Sequence, residues 1–168
     1  MLFRSAYGFA YTFELLQTAQ TNLAVGATFS GSFVGNGQAQ LIAVNVTNGS
    51  PLLITLNNAG AHNVTEIYGQ LGSPPTRGTY SYKSTNPNSP NQQILIPIAN
   101  SGTYYILIYG NRISTPGNYT LQVLGGNVFL TSVTPNLGPN KTALTLTLNG
   151  TGFSPARWSP LHGGGFQP

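Results

Sequence analysis

The sequence predicts an all-β protein: an antiparallel, jelly-roll-like β-sandwich followed by an incomplete immunoglobulin-like unit. Three observations carry that expectation. Thr, Tyr, Ile and Val fit a pleated, half-buried surface, and the 168 residues include 19 Thr and 9 Tyr. Gly and Pro, 21 and 12 in number, punctuate the chain at short intervals. Between them apolar residues recur with a period of two, in runs spaced about 8–12 residues apart, and no segment shows helical periodicity.

Met1-Leu-Phe-Arg4 has the charged opening of a signal peptide, but an unbroken apolar stretch does not follow. Tyr7, Phe9, Tyr11, Phe13 and Leu15 instead alternate with small or polar residues, which reads as a half-buried strand. Residues 16–23 read as a polar connector. Strands are then expected over 27–34, over 40–46 with Ile42, Val44 and Val46 on one face, and over 51–56 with Leu52, Ile54 and Leu56 together. A weaker run covers 63–68. The stretch 72–90 is a long loop in which Tyr80 and Tyr82 suggest a short edge strand. Residues 93–98 and 103–109 are the strongest runs, and 118–123 alternates cleanly with Tyr119, Leu121 and Val123 inward. Beyond Gly125-Gly126, strands are expected over 128–133 and 142–148, closed by Asn149-Gly150, and 155–168 has no periodicity. Two strands bury no core by themselves, so this second unit is expected to be incomplete.

Composition excludes much chemistry. Charged residues make up 5% of the chain, and Glu14 and Glu66 are its only acids. Glycosidase-type pairs and oxygen-rich calcium sites both draw on several carboxylates. Without cysteine there are no disulfides or thiolates, and His62 and His162 are too few to fill a catalytic zinc site. The absence of disulfides is equally compatible with export. Six dispersed Lys and Arg give a net charge of +4 but no basic patch, so nucleic acid is not an expected partner. No apolar run reaches the roughly 18 residues of a transmembrane helix, and no membrane span is expected.

Gly102-Thr-Tyr-Tyr-Ile-Leu-Ile-Tyr109-Gly110 with Gly117-Asn-Tyr-Thr-Leu-Gln-Val123 resembles the last two strands of bacterial pre-peptidase C-terminal domains. Leu41-Ile-Ala-Val-Asn-Val-Thr-Asn-Gly49 is similar to that family's early strand, and Glu66-Ile67-Tyr68 stands where an Asp-Leu-Tyr is usual. The family's calcium-binding members use several acids that this chain lacks, so no metal role is carried over. Thr131-Ser-Val-Thr-Pro-Asn-Leu-Gly138-Pro and Leu146-Thr-Leu-Asn-Gly-Thr-Gly152-Phe153 resemble the opening of an IPT/TIG immunoglobulin-like domain. Tyr11-Thr-Phe-Glu-Leu-Leu16 is similar to the closing strand of a preceding module.

These resemblances imply a division into 1–22 (a preceding module's last strand and linker), 23–125 (the sandwich), 126–155 (the start of an IPT/TIG domain) and 156–168 (a disordered tail). They imply a slice of a large modular exported protein of planctomycete-like bacteria, extracellular or on the cell surface, its export signal outside this fragment. The expected role is a non-catalytic spacer or interaction module whose partners are neighbouring modules of the same chain. The alternative is a carbohydrate-binding module that targets an attached enzyme to a polysaccharide or cell-surface polymer.

The bland readings hold for most candidate sites. No G-x-S-x-G elbow or Asp supports a hydrolase, no catalytic or metal-ligating residue is assigned, and no cofactor is expected. The Gly35-Asn36-Gly37 and Gly150-Thr-Gly152 segments are hairpin turns, because neither opens a helix. Six Asn-x-Ser/Thr matches, among them Asn45 and Asn63, follow from the abundance of Asn and Thr. One surface feature remains. If Tyr104, Ile106 and Ile108 point inward, then Tyr105, Leu107 and Tyr109 share the outer face. Such a face either stacks a sugar or a neighbouring module, or is covered by that module or by the 72–90 loop. The covered reading is preferred.

Overall fold

Alternating side chains pair two sheets face to face over one apolar layer. The computed structural model describes residues 3–4, 10–11, 19–47, 49–138 and 144–153. Its strands are β1 (Phe3–Arg4), β2 (Ala10–Tyr11), β3 (Gln20–Leu23), β4 (Thr28–Ser32), β5 (Ala39–Val46), β6 (Ser50–Asn58) and β7 (Val64–Leu71). There follow β8 (Tyr82–Ser84), β9 (Gln92–Ala99), β10 (Gly102–Arg112), β11 (Asn118–Gly125), β12 (Phe129–Thr134) and β13 (Thr147–Thr151). The larger sheet has the order β3-β5-β10-β7-β8 and the smaller one β4-β11-β6-β9. Ile42, Val44, Ile67, Ile106 and Ile108 from the first meet Leu52, Ile54, Leu56, Leu121 and Val123 from the second in a single core. The β-sandwich is the predicted fold.

Local chemistry explains the irregularities. Pro51 and Pro97 carry no N–H, and the β6–β9 ladder shifts register between Ser50 and Leu52, opposite Pro97. β9 is an edge strand, where proline is tolerated. Tyr119 packs closely against the backbone of β4: its ring centroid is 4.6 Å from that of Phe33, with the planes tilted by 32°, and a Cβ on Gly31 would stand 2.6 Å from its Cζ. Burial pushes the Tyr119 phenol up to about 12. Asn63 is 2% exposed and gathers three segments. Its Nδ2 donates to Asn58 Oδ1 and the Pro116 carbonyl, at 2.7 and 3.0 Å, and its Oδ1 accepts from the Ser114 amide at 2.6 Å.

Three expectations are corrected. The sandwich is not wholly antiparallel, because β3 pairs with β5 in parallel. That strand lies in the stretch read as a connector: its polar sequence hides it, but Gln40 Nε2 donates to the Ala19 carbonyl and Thr21 Oγ1, and Leu23 packs on the core. The edge strand in the long loop begins at Tyr82, and Tyr80 instead stacks on Tyr68 with ring centroids 5.3 Å apart. The last strand is Thr147–Thr151, displaced from the expected 142–148. Asn149-Gly150 is inside it because Asn149 Nδ2 bonds Ser132 Oγ across the ribbon at 2.8 Å, and Gly150 lies against the Phe129 backbone where no Cβ fits. Of the alternating stretch 7–15, only Ala10–Tyr11 is described, paired with Phe3–Arg4. The remainder of that stretch, Glu14, Asn48, Asn140, His162 and the 156–168 tail fall outside the described residues.

Opposite parity on β11 gives the first test. Tyr119 is buried and Gln122 is not. Tyr119→Ala should cost about 3–5 kcal/mol in urea titrations, and Gln122→Ala about 0.5 kcal/mol or less. Equal losses would refute the register. A second test concerns the β12–β13 ribbon, where Leu130 and Leu148 are 53% and 50% exposed while the buried core runs only from Phe33 to Val123. Deleting residues 127–168 should leave the sandwich folded and more soluble, since exposed two-stranded ribbons are marginal and their edges invite self-association. Amides of β13 should exchange much faster than those of β10. Strong protection across β13 in a monomeric sample would show that the ribbon packs on the sandwich.

Candidate functional site

The outer face of the larger sheet is set by the register of β10. Tyr105 stands between Ala43 and Gln70, Leu107 between Leu41 and Tyr68, and Tyr109 between Ala39 and Glu66. All three β10 side chains are half-buried, so they do point outward, but they meet different surroundings.

At one end the sheet is latched. Glu66 is buried, and its carboxylate receives four hydrogen bonds. Arg77 gives a fork, Nε to Oε2 at 2.8 Å and Nη2 to Oε1 at 2.9 Å. Tyr68 donates its hydroxyl to Oε2 at 2.6 Å, and Asn111 donates Nδ2 to Oε1 at 2.9 Å. The Arg77 guanidinium also lies 4.2 Å above the Tyr109 ring, a cation–π contact. Arg77 belongs to the 72–81 segment, whose ends are tied to the sheet by Gly72 N to Thr103 O and Ser81 N to Gly69 O. The segment thus folds over Tyr68 and Tyr109. This covering explains why β7 is buried on both faces from Thr65 to Gly69 although its sequence is only weakly apolar.

The electrostatics follow from that geometry. Burial raises the Glu66 pKa. The hydrogen bonds from Arg77 and Tyr68, the guanidinium charge and the Asn111 amide outweigh it, so the carboxyl is held below its ordinary value. Burial and the hydrogen bond to Glu66 raise the Tyr68 phenol. Arg77 is 48% exposed, so its charge is partly screened by water, whereas the Glu66 side chain is 8% exposed. With both oxygens occupied, Glu66 has no lone pair directed at a substrate.

At the other end the face is open. Asn22, Ala43 and Tyr105 lie side by side on β3, β5 and β10, and Asn45 faces Thr103 in the next outward row. Together with Gln20 they line a groove of about 500 Å³. Ala43 forms its floor because a methyl group separates the longer Asn22 and Tyr105. A hollow of about 550 Å³ on the smaller sheet is lined by Ser30, Asn57, Asn58, Asn118 and Thr120. Its single ring, Tyr119, is 4% exposed and belongs to the core. Among the described residues no three His, Cys, Asp or Glu side chains gather, and His62 lies on an exposed loop.

Alternation places Tyr105, Leu107 and Tyr109 on one face, and the structure divides that face: Tyr109 lies under Arg77 and Tyr105 in the groove. Glu66 has no acidic neighbour among the described residues, but it pairs with Arg77, eleven positions away. The shared parity of Glu66 and Tyr68 was the single local signal. Gln20 and Asn22 gave none.

Two tests follow. Because the folded pKa of Glu66 is depressed, its stabilisation is present above the unfolded value near 4.3 and is lost as pH falls through the folded value. Glu66→Gln should therefore lower the urea midpoint at neutral pH, and the gap should narrow as the pH falls below the unfolded value and close once the folded carboxyl is protonated. A gap independent of pH would show that packing, not charge, is responsible. Chelator should leave the thermal midpoint in place, and a fall beyond about 5 °C, roughly 1 kcal/mol at this size, would reveal a structural metal.

No family model and no curated protein matches the chain. Among solved structures, the pre-peptidase C-terminal domain of a collagenase from Bacillus anthracis is similar at 19% identity and a TM-score of 0.52, over 66% of this chain and 99% of that one. PliG, a periplasmic inhibitor of g-type lysozyme, matches from Aeromonas hydrophila at 17% identity over 62% of this chain and 99% of that one, with a TM-score of 0.35. PliG from Salmonella Typhimurium matches at 12% over 61% and 96%, with a TM-score of 0.32. The collagenase domain, at the higher TM-score, shows that the sandwich has the pre-peptidase C-terminal type of fold.

Proposed function

We propose that the chain is a non-catalytic module of an extracellular or cell-surface protein, in which the sandwich acts as a spacer and contact surface for neighbouring modules. The observation that carries this reading is the use of Glu66. The one acid among the described residues is consumed by four structural hydrogen bonds and an ion pair. General acid–base chemistry needs a group with a free proton site within reach of a substrate. The collagenase domain of the same fold and the IPT/TIG-like motifs of the β12–β13 ribbon support a modular setting. The neutral, amide-rich surface suits an exported chain that packs against others of its kind.

The test is location. Antibody against the chain should detect the protein in the culture medium or in protease-shaved cell-surface fractions of its source organism. Recovery from the cytoplasm alone would overturn the proposal.

A second reading, a carbohydrate-binding accessory domain, is favoured by the Tyr105 groove. Tyr109 and Leu107 are taken up by the latch and by neighbouring strands, so this reading narrows to the open end of the sheet.

A further inference from the structure

We propose that the groove between β3 and β10 binds an uncharged polysaccharide strand, with Tyr105 as its platform and the amides of Asn22 and Asn45 as its hydroxyl-recognising groups. The inference rests on the second reading above and gives it a site and a ligand class.

Gln20, Asn22, Asn45, Thr103 and Tyr105 are all neutral, and no Lys, Arg, Glu or His contributes. A charged polymer would therefore find no partner, and a purely apolar ligand would leave the amides facing it unpaired. What fits is a ligand with one apolar face and a rim of hydroxyls, which is the chemistry of a pyranose ring. The half-buried Tyr105 ring supplies a flat surface held by β5 and β7 on either side. Amides offer both donors and acceptors, so one side chain serves a pair of adjacent hydroxyls. Gln20 Nε2 donates to Asn22 Oδ1 at 3.1 Å, which orients the Asn22 amide and leaves its own N–H groups directed elsewhere. Asn45 makes no side-chain hydrogen bond among the described residues and is exposed.

The dimensions are consistent. Asn22 and Tyr105 are two strands apart, about 10 Å, and the Asn45–Thr103 row is two residues along, about 6.6 Å. The floor is Ala43, where any longer side chain would fill the space between them. Beneath the groove, Ile42 and Val44 of β5 and Tyr104 and Ile106 of β10 are buried in the core, which holds the strands that carry Ala43, Thr103 and Tyr105.

The experiment uses the 168-residue chain in affinity electrophoresis and pull-down against cellulose, xylan, β-1,3-glucan, chitin and starch, with alginate and heparin as charged probes. At least one neutral glycan should retain the protein, and retention should be indifferent to salt, because no charge is involved. Tyr105→Ala and Ala43→Leu should each weaken that retention about tenfold or more. Because both sites touch the sheet, Asn45→Ala, exposed and free of structural bonds, provides a check with the fold intact and should weaken it several-fold. Thermal melts of all three variants establish that they are folded. Retention unchanged in folded Tyr105→Ala and Asn45→Ala would overturn the groove while leaving carbohydrate binding in place. Retention by the charged probes alone, or by none of the glycans, would overturn the groove and the second reading together.

Discussion

β10 is the constraint on which the rest of the molecule depends. It is the longest strand, pairs along nearly its whole length with β5 on one side and β7 on the other, and sends Tyr104, Ile106 and Ile108 into the core. A strand in that position has no free backbone edge, so every consequence of its sequence appears on its two faces. The inner face is fixed by the facing sheet. The outer face is what the remaining chain divides, and the division is chemical: an ion pair at one end, neutral amides at the other.

The latch shows how a nearly uncharged protein uses a buried carboxylate. A single acid under a loop is unfavourable unless every lone pair is matched, and a partner lost would leave a charge stranded. Glu66 meets that requirement through residues from three places: Tyr68 on its own strand, Asn111 at the end of β10, and Arg77 in the covering segment. Only the last spans elements with no strand pairing between them. The same guanidinium lies over Tyr109, so one side chain both neutralises the acid and covers one face of an aromatic ring. Arginine suits this because its planar fork matches the carboxylate while its face stacks on the ring.

Most of the sandwich was legible because its strands obey period two. Ile42, Val44 and Val46, then Leu52, Ile54 and Leu56, then Tyr119, Leu121 and Val123 are buried as their alternation requires. What escaped did so for identifiable reasons. β3 buries little and is held by side-chain amides, which leave no periodic trace. β7 carries Thr65 and Glu66 in covered positions, where polar residues mimic exposure; Thr65 is satisfied by the Pro90 carbonyl at 2.8 Å. Asn149-Gly150 has the composition of a turn, but Gly150 is required by backbone proximity rather than by a change of direction. The Glu66–Arg77 pair is a tertiary contact, and no local spacing encodes it. The parity of β10 revealed that its aromatics face outward; their separate fates depended on which loop lay above them.

The two ends of the outer face bear on each other. Arg77 fixes the 72–81 segment over Tyr109, and Gly72, where that segment leaves β7, is bonded to the Thr103 carbonyl on β10. Thr103 is also a wall of the groove. The latch therefore confines the loop to one half of the sheet and ends it beside the other half. Pinned by Glu66, the loop lies over Tyr109, and none of its residues lines the groove beside Tyr105. In that ten-residue segment, rich in Pro, Thr and Gly, the ion pair acts together with the Tyr80–Tyr68 ring contact and the backbone bonds at the two ends. The two tyrosines are both half-buried but differ in their company: Tyr109 lies under the Arg77 guanidinium, and Tyr105 stands beside the neutral amides of the groove.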